Sequence, residues 1–309
     1  MNLTTSKEAQ LRLNPEQILV QRDNALGDVI LTTPVIRRLR ETYPAAVITV
    51  STWYPEVFAN NPAVNHVVSP ANSPPRQKFD SVIDLNLVYE SRPSMHIVHA
   101  YMQFVFGDDG AEWDLQQRLY TAKPGVKYFA HDSYVIVHPT IAGWANRTLP
   151  QSTWLHVCDL LKIQGYQPIC VGTQRDMLPD QTTPSFWIRD IHAHMQLYRS
   201  AACFVGSDSA LMHVAGATDV PIVGVFTSVR PQYRLPIRRY QVGWACEAVL
   251  PDLPCVGCQE RAPPPSTMES CERGDRICVQ LVEAKQIVQA VMKLTERADV
   301  VGTRTANYL

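Results

Sequence analysis

The sequence predicts an α/β protein built as two successive domains, each around a mostly parallel, doubly wound sheet. Three observations carry that reading. Short apolar runs alternate with amphipathic stretches of helical period, as strands joined by crossover helices require. The alternation stops at Pro124-Gly125 and then restarts. The chain has 309 residues, more than one ordinary core holds and comfortable for two. We place the boundary within Lys123 to Ser133, which gives domains of residues 1–130 and 131–309.

The elements follow in order. Ile18 to Gln21 is an apolar run and reads as the first buried strand. After a polar turn that carries Gly27, one helix is expected, with Val29, Ile30, Thr33, Ile36 and Leu39 on one face. Pro44 stops that helix, and Pro34 in its second turn predicts a kink or a shortened first turn. Val47 to Ser51, Val64 to Val68 and Ser81 to Leu85 read as strands, and Met95 to Phe106 as a helix. In the second half Tyr134 to His138, Gln167 to Gly172, Cys203 to Gly206 and Pro221 to Phe226 read as strands. Helices are expected over Gln151 to Gln164 (Gly165 as its stop), His192 to Ala202, Asp208 to Thr218 and Val282 to Arg297.

Composition narrows the function classes. Hydrophobic residues make up 46% and charged residues 18%, ordinary for a globular chain. A net charge of −1 provides no general basic field for a nucleic-acid partner. Residues 1–17 are polar, so no secretory signal is expected, and no apolar run approaches the ~18 residues of a membrane span. The expectation is a cytoplasmic protein, compatible with peripheral contact at the inner face of a membrane.

Three strand-to-helix junctions hold the residues with chemistry. The first is Leu26-Gly27-Asp28, where Gly27 permits close backbone approach or a positive φ and Asp28 falls at the helix start. By itself Asp28 suits either a carboxylate serving the helix dipole or a general base. The second is His138-Pro139-Thr140, followed by Arg147 just ahead of a helix. A hydroxyl, a guanidinium and backbone N–H groups suit a diphosphate, though a solvated loop has the same composition. The third is Gly206-Ser207-Asp208-Ser209, with His213 one turn inside the next helix. That cap can satisfy its own helix or present N–H groups to phosphate oxygens. Neither a Gly-x-Gly-x-x-Gly fingerprint nor a Gly-Lys-Ser/Thr phosphate loop occurs at the first junction.

Taken together, Leu26-Gly27-Asp28 with Thr32-Thr33-Pro34, then His138-Pro139, then Asp208-Ser209 with His213 resembles glycosyltransferase family 9, the ADP-heptose:lipopolysaccharide heptosyltransferases. The resemblance implies a GT-B fold, two Rossmann-like domains facing each other across a cleft. It implies an inverting transfer of heptose from ADP-heptose to an acceptor hydroxyl, on lipopolysaccharide core, a protein or a small molecule, with Asp28 as general base. Gly27, Thr140, Arg147, Asp208, Ser209 and His213 would then bind the donor. Two positions depart from the pattern: Arg147 replaces the usual lysine, and Ala210 the usual glycine. No Asp-x-Asp triplet occurs, so the chemistry is expected to need no metal and no catalytic cofactor. The competing reading is a non-catalytic nucleotide-sugar-binding or assembly protein that uses its cysteine segment as an interaction module.

Of eight cysteines, Cys158, Cys170, Cys203 and Cys246 stand singly in apolar surroundings and read as inert thiols. Cys255, Cys258, Cys271 and Cys278 form a loop segment with spacings of two, twelve and six residues. Four thiols so grouped suit structural iron or zinc, or remain unmetallated. A related cysteine pattern occurs in the resembled family, where protein-glycosylating members hold iron on it. The segment could also serve contacts within a homo-oligomer.

Overall fold

The computed structural model describes residues 11–121, 133–139, 145–176, 178, 183–187, 190–238, 246–260 and 271–300, without the side chains of 297–300. The chain divides into two compact units, residues 1–123 and 124–309.

The first unit runs β1 (Gln17–Gln21), α1 (Leu26–Ile30), α2 (Thr33–Thr42), β2 (Val47–Ser51), β3 (His66–Val68), β4 (Ser81–Asp84) and α3 (Ile97–Phe106). Its four strands are parallel, in the order β3-β2-β1-β4. Ile18, Leu19 and Val20 of β1 are wholly buried, as an interior parallel strand demands. The expected single helix after β1 is two helices. Pro34 cannot donate to a preceding turn, so it sits in the first turn of α2, where no donor is missed. At the break Thr32 Oγ1 donates to Val29 O and Thr33 Oγ1 to Ile30 O, both at 2.8 Å.

The second unit runs β5 (Tyr134–His138), α4 (Gln151–Ile163), β6 (Gln167–Gly172), β7 (Ser185–Trp187), α5 (Ile191–Arg199), β8 (Cys203–Ser207), α6 (Ala210–Gly216), β9 (Ile222–Val225), β10 (Cys246–Val249), α7 (Ile277–Gln280) and α8 (Ala284–Val300). All six strands are parallel, in the order β10-β9-β8-β5-β6-β7. Trp154, Val157 and Leu161 of α4 and Ile287, Val291 and Leu294 of α8 cover β5 and β8 in one apolar cluster. Gly165 does stop α4, at a φ of 83° that L side chains resist.

Three elements went unread in the sequence: the edge strands β7 and β10 and the one-turn α7. Helix boundaries also moved. α5 begins at Ile191, because Asp190 caps it by accepting from the His192 N–H at 2.8 Å. α6 begins at Ala210 rather than Asp208, because Ser209 is extended.

Both units are parallel α/β folds, the class of a GT-B protein. In each sheet the strand order reverses beside the unit's first strand: β4 lies on the far side of β1 from β2, and β8 on the far side of β5 from β6. Those switch points are β1/β4 and β5/β8, and a parallel sheet opens its ligand crevice beyond the carboxyl ends of such strands.

Candidate active site

At the β1/β4 switch point a buried arginine gathers two carboxylates. Arg22 follows β1 directly and is only 6% exposed. It donates to Asp28 Oδ2 through a short contact, to Glu90 Oε1 at 3.2 Å and to the Leu85 carbonyl at 3.4 Å. The Tyr89 hydroxyl donates to the same Asp28 Oδ2 at 3.1 Å. The guanidinium lies 5.4 Å over the Tyr89 ring, which meets Tyr101 of α3 edge-on.

The electrostatics follow from burial. Burial opposes the charge on Arg22, but Tyr101, Asp28, Glu90 and Tyr89 outweigh it and hold the guanidinium above its ordinary range. Burial raises the Glu90 carboxyl above 4.5; Arg22 draws it back and Asp28 adds to the rise. Burial likewise keeps the Tyr101 phenol protonated. Two carboxyl groups thus share one guanidinium in this nest, beside the Tyr89 hydroxyl.

The backbone around this nest is strained. Ala25, the residue before α1, has φ 65°, and Leu87, in the loop after β4, has φ 59°. Each costs about 1–3 kcal/mol in a non-glycine residue and must be held by its surroundings. The positive φ anticipated at Gly27 therefore falls at Ala25, while Gly27 sits within α1. Asp28 lies in the first turn of that helix, its side chain 13% exposed.

At the β5/β8 switch point the second unit gathers a different set. His138 ends β5, and its Nδ1 lies 3.1 Å from Ser209 Oγ. Its Nε2 lies 3.9 Å from Asp176 Oδ2, a carboxylate that also accepts from the Thr173 N–H and hydroxyl at 2.7 Å. Arg147 closes the turn Ala145–Arg147 ahead of α4, and its Nη1 pairs with Asp208 Oδ2 at 2.8 Å. Asp208 Oδ1 lies 3.9 Å from Nε2 of the buried His213. Arg147 Nε and Nη2 both donate to Gln259 Oε1, at 3.0 and 2.6 Å.

Thus Arg147, Asp208, Ser209 and His213 do converge, with His138 beside them. Thr140 lies outside the described residues. The anticipated cap does not form: Ser209 makes no side-chain bond to α6 and turns to His138 instead.

The four clustered cysteines are partly buried, and no disulfide joins them. Burial, then Cys258, Cys271 and Cys255, push the Cys278 thiol up to about 11, so the four share one neighbourhood. Backbone N–H groups of Arg276, Arg273 and Gly274 outweigh burial at Cys271 and lower its thiol. Among the described residues no three His, Cys, Asp or Glu side chains form a ready metal cage. In type the donor set still fits a thiophilic ion, since sulfur ligands suit iron and zinc. Of the single cysteines, Cys158, Cys170 and Cys203 are buried and Cys246 is half-buried. Burial pushes Cys170 up to about 11 and also raises Cys246.

A family model for glycosyltransferase family 9 (heptosyltransferase) matches residues 92–264, more than half of the chain. The chain belongs to glycosyltransferase family 9. No curated protein matches it in sequence. Among solved structures it resembles TibC, a bacterial iron-containing dodecameric glycosyltransferase from enterotoxigenic E. coli. The two are 16% identical, with 92% of this chain and 77% of that one covered and a TM-score of 0.72. E. coli ADP-heptose LPS heptosyltransferase II is 14% identical, with 92% and 99% covered and a TM-score of 0.67. E. coli heptosyltransferase WaaC, solved with ADP, is 12% identical, with 90% and 99% covered and a TM-score of 0.58. At these identities the likeness is one of fold.

For a family 9 chain, sequence reading missed Arg22, Tyr89, Glu90, Asp176 and Gln259. One signal was available. Arg22 is a charged residue placed directly after a buried strand, where a crevice opens. Tyr89, Glu90 and Gln259 join their site partners only through long-range contacts, and Asp176 reaches His138 from 38 residues away.

No helix among the described residues is long and apolar enough to cross a membrane.

Proposed function

We propose that the protein is an inverting heptosyltransferase that moves heptose from ADP-heptose to an acceptor hydroxyl, with Asp28 as general base. The observation that carries this is the placement of Asp28 at the β1/β4 switch point, its carboxylate fixed by Arg22 and Tyr89. The family assignment supports heptose transfer, and TibC, a fold relative, is solved with ADP-D-beta-D-heptose.

The acceptor hydroxyl loses its proton as its oxygen attacks the anomeric carbon, and ADP departs with the bonding pair. A positioned carboxylate that takes that proton contributes about 10²–10⁴-fold. Arg147 supplies positive charge for the departing diphosphate. Asp208 orients Arg147, and Ser209 and His213 complete the donor side. These steps call on no metal.

Cys255, Cys258, Cys271 and Cys278 would hold iron or zinc. Four thiolate ligands fill a tetrahedral site, so such an ion serves structure. A homo-oligomer and contact with a membrane surface are compatible with this reading.

Ligand-induced thermal stabilisation tests the donor. ADP-heptose at about 100 times its Kd should stabilise the chain by about 2.7 kcal/mol, and UDP- and GDP-sugars should not. Indifference to ADP-heptose overturns the reading. Stabilisation without transfer, unchanged by Asp28→Asn, favours the non-catalytic binding protein.

A further inference from the structure

The turn that carries Arg147 is gripped from two sides by the cysteine segment. On one side, residues 257–260 run along the loop after β9. The Gly257 N–H donates to Thr227 O at 3.3 Å and the Gln259 N–H to Ser228 O at 3.0 Å. The Arg230 N–H donates to Glu260 Oε1 at 2.5 Å. Gly257 has φ 83°, and a Cβ there would come within 2.8 Å of Arg230 Cγ, so this close seating needs glycine. Thr227 Oγ1 in turn donates to the Asn146 carbonyl, next to Arg147. On the other side, α7, which carries Cys278, packs against the Ala145–Arg147 turn.

Gln259 sits at the centre of this stack. Its Oε1 accepts from Arg147 Nε, Arg147 Nη2 and Ser228 Oγ, the last at 3.0 Å. Three donors converge on one amide oxygen contributed from 112 residues away. An amide oxygen orients a guanidinium without cancelling its charge, whereas a carboxylate would do both. The neighbouring residue, Cys258, belongs to the four-thiol group.

We infer that Gln259 is the positioning residue that aims the Arg147 guanidinium at the donor diphosphate, linking order in the four-cysteine segment to donor binding. The inference rests on the donor role proposed for Arg147, and a double-mutant cycle separates the two. ADP is titrated into the full chain and its Gln259→Ala, Arg147→Ala and doubly substituted forms, each checked by its melting temperature. Gln259→Ala should weaken ADP about tenfold in the parent and less than about twofold beside Arg147→Ala. Equal factors in both backgrounds, or no change in either, overturn the positioning role. An Arg147→Ala form that binds ADP like the parent removes the donor role itself, and this inference with it.

Gln259→Glu keeps an oxygen facing Arg147 but adds a second carboxylate to the one that Asp208 already supplies, and should weaken ADP at least as much while preserving the fold. ADP binding as tight as the parent's in that form also overturns the inference. Cys255→Ser, with iron and zinc measured by elemental analysis, tests the link to the cysteines. It should lose metal and weaken ADP when Gln259 is present, and leave ADP unaffected beside Gln259→Ala. Metal loss with no effect on ADP, equal weakening in both, or a parent chain holding neither metal overturns the link.

Discussion

Two arginines stand at two sheet switch points, and they are held in opposite ways. Arg22 is sunk among Asp28, Glu90 and two tyrosines. Its charge is consumed locally, and two carboxyl groups share it. Arg147 is braced on one edge by a neutral amide and meets one carboxylate, Asp208, on the other. The difference is the one that the two roles proposed above would require. A site that accepts a proton needs a fixed carboxylate, with its countercharge spent on holding it. A site that receives a diphosphate needs a guanidinium whose orientation is fixed while its charge persists.

The strongest way to break this comparison is at the carboxylate. Asp28→Asn keeps the shape but removes the base, so transfer should fall by about 10²–10⁴-fold. ADP affinity should stay within about twofold, because the side chains proposed to hold the diphosphate, Arg147 with Asp208, Ser209 and His213, belong to the other unit. Initial-rate transfer assays with ADP titration check both, and equal transfer by the two forms removes Asp28 as the base.

Removing the buried guanidinium should act on stability. Arg22→Met leaves Asp28 and Glu90 without their cation, a change that costs about 3–5 kcal/mol when one partner of a buried pair is deleted. The loss should also depend on pH. Burial already raises Glu90 above 4.5 with Arg22 present, and without Arg22 it rises further. The folded variant then holds that proton more firmly than the unfolded chain. Its deficit is therefore greatest above the folded value and shrinks as pH falls through it. Urea denaturation at pH 7.5 and pH 5 measures this, and a pH-independent deficit contradicts the unpaired-carboxylate account.

The mildest change sharpens the comparison at the other arginine. Arg147→Lys keeps the charge but loses the planar fork that meets Gln259 with two nitrogens. ADP affinity should fall about fivefold, near 1 kcal/mol, with no change in melting temperature beyond a degree or two. A loss as large as that of Arg147→Ala would mean that charge alone is not what the diphosphate uses.

The sequence disclosed the scaffold better than the sites. Buried parallel strands are short apolar runs, and β5 and β6 begin and end where their composition predicts. Edge strands lack that signature: β7 has three residues and β10 includes Glu247, so neither stands out from loop. Pro34 announced a disturbance, but whether it would kink a helix or start a new one depended on hydroxyls reaching back from Thr32 and Thr33. Asp28 was legible because glycine, carboxylate and strand end fall together in one window. Its partners were not. Tyr89 and Glu90 reach it and Arg22 from more than 60 residues away, and nothing local in a Tyr-Glu pair reveals that closure. The neutral brace on Arg147 was least legible, because a glutamine beside a cysteine ordinarily reads as surface.

The reach of those contacts sets an order of assembly. Among the described residues, the side chains that hold Asp28 and its arginine lie between Arg22 and Tyr101, so all of them are made before Arg147. The Arg147 cluster waits for Gln259 and for the helix after Cys271. At ribosomal elongation rates that interval is on the order of ten seconds. In a nascent chain the groups around Asp28 are thus synthesised well before Gln259 can reach Arg147.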